Sequence, residues 1–294
     1  MRPTDHIVSR TTEAVVVLSE FDGVHRSHAA LVGAALQHAR SRGATLVAVV
    51  ADRGEGVPRI MHVNRRCELL LSIGVSSAFV APLPHPVAVQ DALGPTLERL
   101  RPVAVFLDAA SWPSQPRNRL SQYLRGLGSV VRDGPTTAGP GFAPIDTAAV
   151  IGSLDRGDIR TAEDMLGRPY ELSGAVAARV LVSRSTRFQT EQLATASDVV
   201  LPKRGVYIAR ALIGRRWIAA AVDVRTGPSF DSSQGGTVVE AHLIDFEGDV
   251  QNTELSLRFV RRLRDQVQFG GPDDITAQLD RDVVAAIAEL RPEF

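Results

Sequence analysis

Residues 14–28 read AVVVLSEFDGVHRSH, and this stretch decides how the amino-terminal half of the chain folds. The β-branched run from Ala14 to Leu18 predicts a buried strand, Asp22-Gly23 predicts a turn, and helical spacing follows. A strand that passes through a glycine turn into a helix directs backbone N–H groups and the positive end of the helix dipole at the turn. The stretch therefore suits a bound phosphate.

Two histidines, His25 and His28, lie where this helix is predicted to begin. Imidazoles at that place can donate hydrogen bonds to phosphate oxygens and stabilise the charge that grows when a nucleophile attacks the α-phosphate of a nucleotide. The alternative is that Asp22-Gly23 is only a turn and that the histidines are ordinary helix-surface residues. The preceding strand and the Phe-Asp-Gly context favour phosphate chemistry.

Apolar β-branched runs alternate with stretches of helical spacing from Ala14 to about Val131. This alternation predicts a parallel sheet wrapped by helices. A Gly- and Pro-rich segment at 133–144 predicts a loop, and Gly167-Arg168-Pro169 predicts the end of a helix. The fold class expected for this half is α/β.

After Tyr170 the pattern changes to short strands separated by turn signals, and a helix is predicted from Asp273 to Leu290. A small antiparallel β-barrel with a terminal helix fits this pattern better than a continued α/β fold. We therefore expect two domains, residues 1–168 and 169–294. The predicted strands are LSGAVAARVLV, GVYIARALI, RWIAAAVDV, TVVEAHLIDF and ELSLRFVRRL.

Composition excludes several function classes. Lys+Arg and Asp+Glu number 33 each, so no global field attracts nucleic acid or an anionic membrane. No segment approaches the roughly 20 apolar residues that span a bilayer, and the amino terminus lacks the apolar core of a signal peptide. The single Cys67 excludes an intramolecular disulfide. We expect a cytoplasmic protein with a small-molecule ligand and neither nucleic-acid nor membrane partners.

The sequence FDGVHRSH at residues 21–28 resembles the FDGVHxGH motif of bacterial bifunctional riboflavin kinase/FAD synthetases. The resemblance extends to LDRGDIRTAEDMLGRPYELSG at 154–174, to PKRGVY at 202–207 and to VVEAHLIDF at 238–246. It implies a Rossmann-like nucleotidyltransferase (FMN adenylyltransferase-like) domain, followed by a β-barrel of riboflavin-kinase type. The implied ligands are ATP or another nucleotide and a flavin: riboflavin, FMN or FAD.

In the amino-terminal half the resemblance makes His25 and His28 the catalytic candidates, and it assigns a flavin-site position to Asp108. Trp112 either stacks on a ring system or packs in the core. The candidate nucleotide-binding residues are Phe21, Asp22, Gly23 and Ser27.

This half departs from the family pattern at positions that handle phosphate. Ser27 stands where the motif has glycine, and Ser19-Glu20 replaces the Gly-Asn of a GNFDG-like entry. Ile151 aligns with an arginine, which would have been a bidentate phosphate partner. Glu20 either points into the phosphate cradle and weakens ATP binding or faces solvent.

In the carboxyl-terminal half, Glu240 aligns with the base that acts on the riboflavin hydroxyl. A Gly-rich loop aligns with Arg179–Ser185, where the glycines are missing, and a GFPTAN motif aligns with Arg187–Gln192, of which Phe188 and Thr190 match. Thr190 alone is a weak signal for magnesium, so no metal site is assigned. A Thr/Asn pair would be needed to complete one.

One further motif of this half is altered, because an NIG-like turn has become Asp223-Val224-Arg225. His242 and Asp245 are expected to act as structural partners rather than in catalysis.

Together these patterns predict a divergent homologue whose kinase activity is lost and whose FMN adenylylation is impaired or redirected to another substrate. Two alternatives remain open at this point: a non-catalytic flavin- or nucleotide-binding regulatory or partner-binding paralogue, and a functional FAD synthetase. The oligomeric state and the true ligand do not follow from the sequence.

Overall fold

A computed structural model describes residues 13–84, 88–180, 189–229, 232–267 and 272–290. The chain divides into two compact units, one up to Val150 and one from Ile151 onward. The division falls inside the helix at Thr147–Arg156, whereas the sequence places the domain boundary after Arg168. No helix among the described residues is long and apolar enough to cross a membrane.

The first unit is a five-stranded parallel sheet in the order β3-β2-β1-β4-β5, with helices between successive strands. Its elements are β1 (Ala14–Ser19), α1 (Arg26–Arg42), β2 (Thr45–Asp52), α2 (Val63–Ser72), β3 (Ser77–Pro82), α3 (Val89–Leu100), β4 (Ala104–Leu107), α4 (Ser114–Gly126), β5 (Val130–Asp133), a 3₁₀ turn at Pro140–Phe142 and α5 (Thr147–Arg156). The predicted parallel sheet wrapped by helices is confirmed.

Strand β1 lies at the centre of this sheet and all of its residues are buried. Val15 and Val17 pack into one apolar cluster, while Val16 and Leu18 pack into another on the opposite face. A parallel strand buried on both faces requires a continuous apolar run, as this sequence supplies. The strand order reverses between β1 and β4, so a crevice forms beyond their carboxyl ends, where ligands of such sheets bind.

The second unit is a closed antiparallel barrel in the order β10-β7-β6-β11-β8-β9. Its elements are α6 (Ile159–Leu166), β6 (Tyr170–Val180), β7 (Gln189–Ala194), β8 (Gly205–Ile213), β9 (Arg216–Ser229), β10 (Ser232–Leu243), β11 (Glu254–Arg264) and α7 (Pro272–Glu289). Val283, Ala286 and Leu290 of the terminal segment pack against Ile208 and Ile244 of the barrel. The predicted barrel with its terminal helix is confirmed.

Three elements lack a clear signal in the sequence: α4, β5 and β7. Helix α4 (SQPRNRLSQYLRG) carries three arginines and an internal proline, and only Leu120 and Leu124 of its residues are buried. Strand β7 (QTEQLA) is mostly polar. Apolar periodicity cannot identify elements whose burial depends on so few side chains.

Gly205 opens β8 with φ +154°, and a Cβ on it would lie 2.7 Å from the Arg264 carbonyl oxygen and 2.6 Å from the Arg262 guanidinium. We expect Gly205→Ala to lower the free energy of unfolding by about 2 kcal/mol or more, because strain and overlap with backbone add. Gly214→Ala is the control: φ is +60° there, but no atom lies within 4 Å, so about 1 kcal/mol is expected. Equal losses in urea titrations of the two variants would contradict the steric argument.

Candidate functional site

The turn after β1 is strained and fully enclosed. Phe21 and Val24 have positive φ values of 51° and 40°, and Gly23 has φ 79°. Both non-glycine side chains are buried, which holds the backbone in a region that bulky L-residues rarely adopt. Strain of this kind persists where packing over-determines it, and it occurs often at functional sites. The turn delivers the chain into α1, whose first residue is Arg26 with His25 as its N-cap.

Asp22 forms hydrogen bonds with the segment that follows β2. Its carboxylate accepts hydrogen bonds from the backbone N–H groups of Ile60 at 2.8 Å and Met61 at 3.2 Å. The buried guanidinium of Arg66 lies 3.3 Å from the same carboxylate and also donates to the Glu20 carbonyl oxygen at 3.1 Å. Because a carboxylate with these partners is already satisfied, Asp22 mainly fixes the turn.

His25 and His28 are not surface residues, since each is 1% exposed. Their rings stack with centroids 3.7 Å apart and an interplanar angle of 12°. His28 Nε2 lies 3.1 Å from Asp108 Oδ2 and 3.3 Å from Ser19 Oγ. The interpretation of the pair as ordinary helix-surface residues is therefore wrong.

Asp108 follows β4 and is the centre of a polar network at the switch point. Ser19 Oγ donates to its Oδ2 at 3.0 Å, Ser111 Oγ donates to the same oxygen at 2.5 Å, and Ala110 N–H donates to Oδ1 at 3.1 Å. Burial raises the pKa of Asp108, but the hydrogen bond and charge of His28 and the Ser111 hydroxyl outweigh burial and hold the pKa well below its usual range. The carboxylate is ionised at neutral pH.

Ser27 and the residues that precede Ile151 form hydrogen bonds within this unit. Ser27 Oγ donates to the Ile145 carbonyl oxygen at 2.8 Å, and Thr147 Oγ1 donates to the Asp22 carbonyl oxygen at 3.2 Å. Asp146 accepts from the Ala149 N–H at 2.7 Å, so a carboxylate caps the amino terminus of α5. An anionic side chain thus occupies a place that would otherwise favour a phosphate.

The side chain of Glu20 forms an ion pair with Arg53. Arg53 Nε and Nη2 both donate to its Oε1, at 2.8 and 2.5 Å, so its charge is neutralised. Trp112 is 5% exposed and packs in the apolar cluster that contains Leu18 and Leu107. Of the two roles considered for Trp112, this placement favours core packing.

In the barrel, Glu240 is held by Arg225. The two residues lie on neighbouring strands β10 and β9, and the guanidinium engages both carboxylate oxygens, with Nε donating to Oε2 at 3.2 Å and Nη2 to Oε1. Glu240 is 6% exposed. The hydrogen bond from Arg225 to Glu240 is the main reason why the pKa of Arg225 is raised further, against the effect of burial. This is a bidentate, charge-assisted pair.

Asp223 lies directly opposite Glu240 in the β9–β10 ladder. Burial raises the pKa of Asp223, the hydrogen bond from the Gln266 amide lowers it, and the charge of Glu240 raises it further, with a net rise. The two adjacent carboxylates therefore have different donors, Arg225 for Glu240 and the Gln266 amide for Asp223.

Thr190, the weak candidate for a metal ligand, is buried and shares a hydrogen bond of 2.6 Å with His242 Nδ1. Glu191, next to it, accepts from Arg179 Nε at 3.0 Å and from Gln251 Nε2 at 2.6 Å. No group of three or more His, Cys, Asp or Glu residues within the described ranges could hold a metal ion. The Thr190 hydroxyl, the weak candidate for a metal ligand, therefore already has a protein partner.

Part of the aligned kinase loop cannot be placed. Residues 181–188, which include most of the Arg179–Ser185 loop and Phe188, lie outside the described residues.

Residues 166–290 match the family model for riboflavin kinase. Curated bifunctional riboflavin kinase/FMN adenylyltransferases match along most of the chain: that of Bacillus subtilis is 22% identical over 97% of this chain and 95% of its own, and that of Escherichia coli is 23% identical over 92% and 91%. This chain is a divergent homologue of those proteins.

A solved structure of a macrolide-efflux protein from Streptococcus pneumoniae superposes with a TM-score of 0.78. It is 19% identical and covers 95% of both chains, so the likeness shows the fold alone.

Four residues that organise these sites are not among the sequence-predicted site residues: Ser19, Arg66, Ser111 and Arg225. Arg225 carried a signal, because it stands at the glycine of the NIG-like turn, and so did Ser19, which stands at a glycine of the entry motif. A side chain in place of glycine fills space that backbone left open. Ser111 and Arg66 have no comparable signal.

The buried His242 should make the stability of the barrel depend on pH. Burial lowers its pKa from 6.5 to about 4, although the nearby charges of Glu240 and Asp282 act in the opposite direction. The unfolded chain therefore takes up the proton first, and the free energy of unfolding falls as pH drops from about 6.5 to about 4, by up to about 3 kcal/mol.

The measurement is urea unfolding at several pH values in this window. His242→Asn places a neutral group near the Nδ1 position and should flatten the dependence, whereas His62→Asn, at an exposed histidine, should not. Identical slopes for wild type and His242→Asn would contradict the assignment.

Proposed function

We propose that this chain is a flavin- or nucleotide-binding homologue of the riboflavin kinase/FMN adenylyltransferases that has lost the kinase reaction and whose adenylyl transfer is impaired or redirected to another substrate. The observation that carries the proposal is the bidentate pair between Arg225 and Glu240. Within it, residues 1–168 form the nucleotidyltransferase-like domain and 169–294 the kinase-like barrel. The location is cytoplasmic, and the partner is a small molecule rather than a nucleic acid.

The proposed loss of kinase activity depends on whether Glu240 can act as a general base. Glu240 would have to present a lone pair to the riboflavin hydroxyl, within hydrogen-bond reach. Both of its oxygens accept from Arg225, so a riboflavin hydroxyl could approach only the remaining lone pairs, beside a permanently charged guanidinium. Guanidinium is permanently charged, so no pH near neutrality releases the base.

The need of phosphoryl transfer for a metal ion also supports the loss of kinase activity. Gln192 stands at the asparagine of the GFPTAN motif, and the Thr190 hydroxyl is engaged by His242. A hard cation such as magnesium needs several oxygen ligands in near-octahedral order. Without it, the transferring phosphoryl group lacks the cation that commonly neutralises its charge in such reactions.

Adenylyl transfer is weakened by a different route. His28 Nε2 is shared between Asp108 and Ser19, and Asp146 places a carboxylate at a helix amino terminus. Ile151 supplies no charge where an arginine aligns. The strained turn and the two buried histidines are nevertheless present. For this reason we favour adenylyl transfer to another substrate, as the second candidate function, over a purely structural role.

The kinase half of the proposal is tested by incubating the purified chain with riboflavin, ATP and magnesium and separating the flavins by chromatography. We expect no FMN above the blank, together with riboflavin or FMN binding detected as quenching of flavin fluorescence. Glu240→Gln should leave that binding within about threefold, because the kinase base is already neutralised.

Glu247→Gln, at an exposed glutamate, is the matched control. FMN formation by wild type that Glu240→Gln lowers by about a hundredfold or more would overturn the loss of kinase activity.

The adenylyl half is tested by assaying pyrophosphate release with each nucleoside triphosphate, alone and with FMN. We expect turnover with FMN and ATP to be at the blank, and any turnover with another substrate to fall by about tenfold or more in His28→Ala, since its imidazole is one of the two candidate groups for stabilising charge on the phosphate. His38→Ala, on the same helix α1, is the control.

Efficient FAD formation from FMN and ATP would show that the chain has the ordinary family activity, and it would overturn the proposal for adenylyl transfer. Turnover that His28→Ala leaves unchanged would show that the chemistry lies elsewhere.

A further inference from the structure

A groove lies between α4 and β5, at the edge of the sheet in the first unit. Its cavity measures about 210 Å³. Leu120 and Leu124 on the other side of the helix are fully buried, so the helix that forms one wall is anchored on the sheet. The lining residues are Arg117, Asn118, Ser121, Gln122 and Arg125 of α4, with Val131 and Asp133 of β5.

The groove carries unneutralised positive charge. Helix α4 has three arginines and no acidic residue. Arg117 and Arg125 take part in none of the ion pairs among the described residues, although Asp133 lies in the same groove. The amides of Asn118 and Gln122 and the Ser121 hydroxyl add further donors. An anionic occupant is therefore complementary to this wall.

The other wall is an open strand edge. Strand β5 pairs with β4, with Val130 N–H donating to the Val103 carbonyl at 3.0 Å and Gly134 N–H donating to the Leu107 carbonyl at 2.8 Å. Because successive residues of a strand direct their N–H and C=O groups to opposite sides, Val131 and Asp133 present theirs to the open edge. These are the two β5 residues that line the groove.

We propose that the α4–β5 groove binds an extended acidic segment of a partner protein, which adds to β5 as a further strand of the sheet. Arg117 and Arg125 are eight residues apart on α4, which corresponds to about 12 Å along the helix. Side chains at i and i+4 of a strand are on one face and about 13 Å apart. Carboxylates with that spacing reach both arginines, while the main chain pairs with Val131 and Asp133.

The probe is a fluorescein-labelled, end-capped ten-residue peptide of threonine and valine with glutamates at two positions four apart, titrated with the full-length protein by fluorescence anisotropy. The comparison peptide has lysine in place of glutamate. We expect the acidic peptide to bind at least about tenfold more tightly, with affinity falling as salt rises because the contacts are charged.

Two kinds of variant separate the walls of the groove. Arg117→Glu with Arg125→Glu should weaken the acidic peptide by about tenfold or more, whereas Arg119→Glu, an exposed position on the same helix outside the groove, should change it by less than about threefold. Val131→Pro removes an N–H that faces the open edge and should weaken binding similarly, while Val131→Thr retains binding.

Any of these peptide results would overturn the proposal: no binding of the acidic peptide at 1 mM, equal binding of the lysine peptide, an Arg119→Glu effect as large as that of the groove arginines, or full binding by a folded Val131→Pro variant. Full binding by Val131→Pro would mean that the groove binds an anion without the addition of a strand to β5. The proposal would also be overturned if the protein dimerised through this edge and bound the peptide only after the dimer dissociated. The edge would then be the binding site for a second copy of the chain.

Discussion

Strand β1 is buried on both faces, and the amino-terminal unit is built around that constraint. Alternate side chains of the strand, Val15 and Val17 on one face and Val16 and Leu18 on the other, belong to separate apolar clusters. The strand cannot shift by one residue without exchanging its two faces, so its register with β2 and β4 is fixed. That register places Ser19 beside Asp108 and starts α1 with both histidines inside the protein.

Charge satisfaction then determines what the two units can do. A buried ionised group must be paired or it destabilises the fold, so each acidic group in these sites has acquired a partner: Asp22 with Arg66, Asp108 with His28, and Glu240 with Arg225. A partner that stabilises the ionised carboxylate also reduces its basicity. The same interactions that satisfy these buried charges also fix the positions of the side chains in each unit.

The sequence predicted the α/β unit, the barrel and the terminal helix because those elements carry long apolar or β-branched runs, as in β1 and β10. It did not predict α4 or β7, whose residues are mainly polar, or the four-residue strand β5, because these elements depend on neighbours distant along the chain. Among the site residues, His25, His28, Asp108 and Glu240 stand out by motif. Their partners do not, since Ser19 and Arg225 become meaningful only when a glycine is expected in their place.

The sequence by itself determined the fold class, the ancestry of both units and the positions where phosphate chemistry is to be sought, because local patterns and motifs encode these directly. Only the tertiary structure decided that the histidines are buried and stacked, that Glu20 is neutralised by Arg53, and that Arg225 holds both oxygens of Glu240. The reason is physical: pairing between side chains depends on strand register and on which face of an element they occupy. Arg225 and Glu240, 15 positions apart in the chain, are neighbours because β9 pairs with β10 in this register.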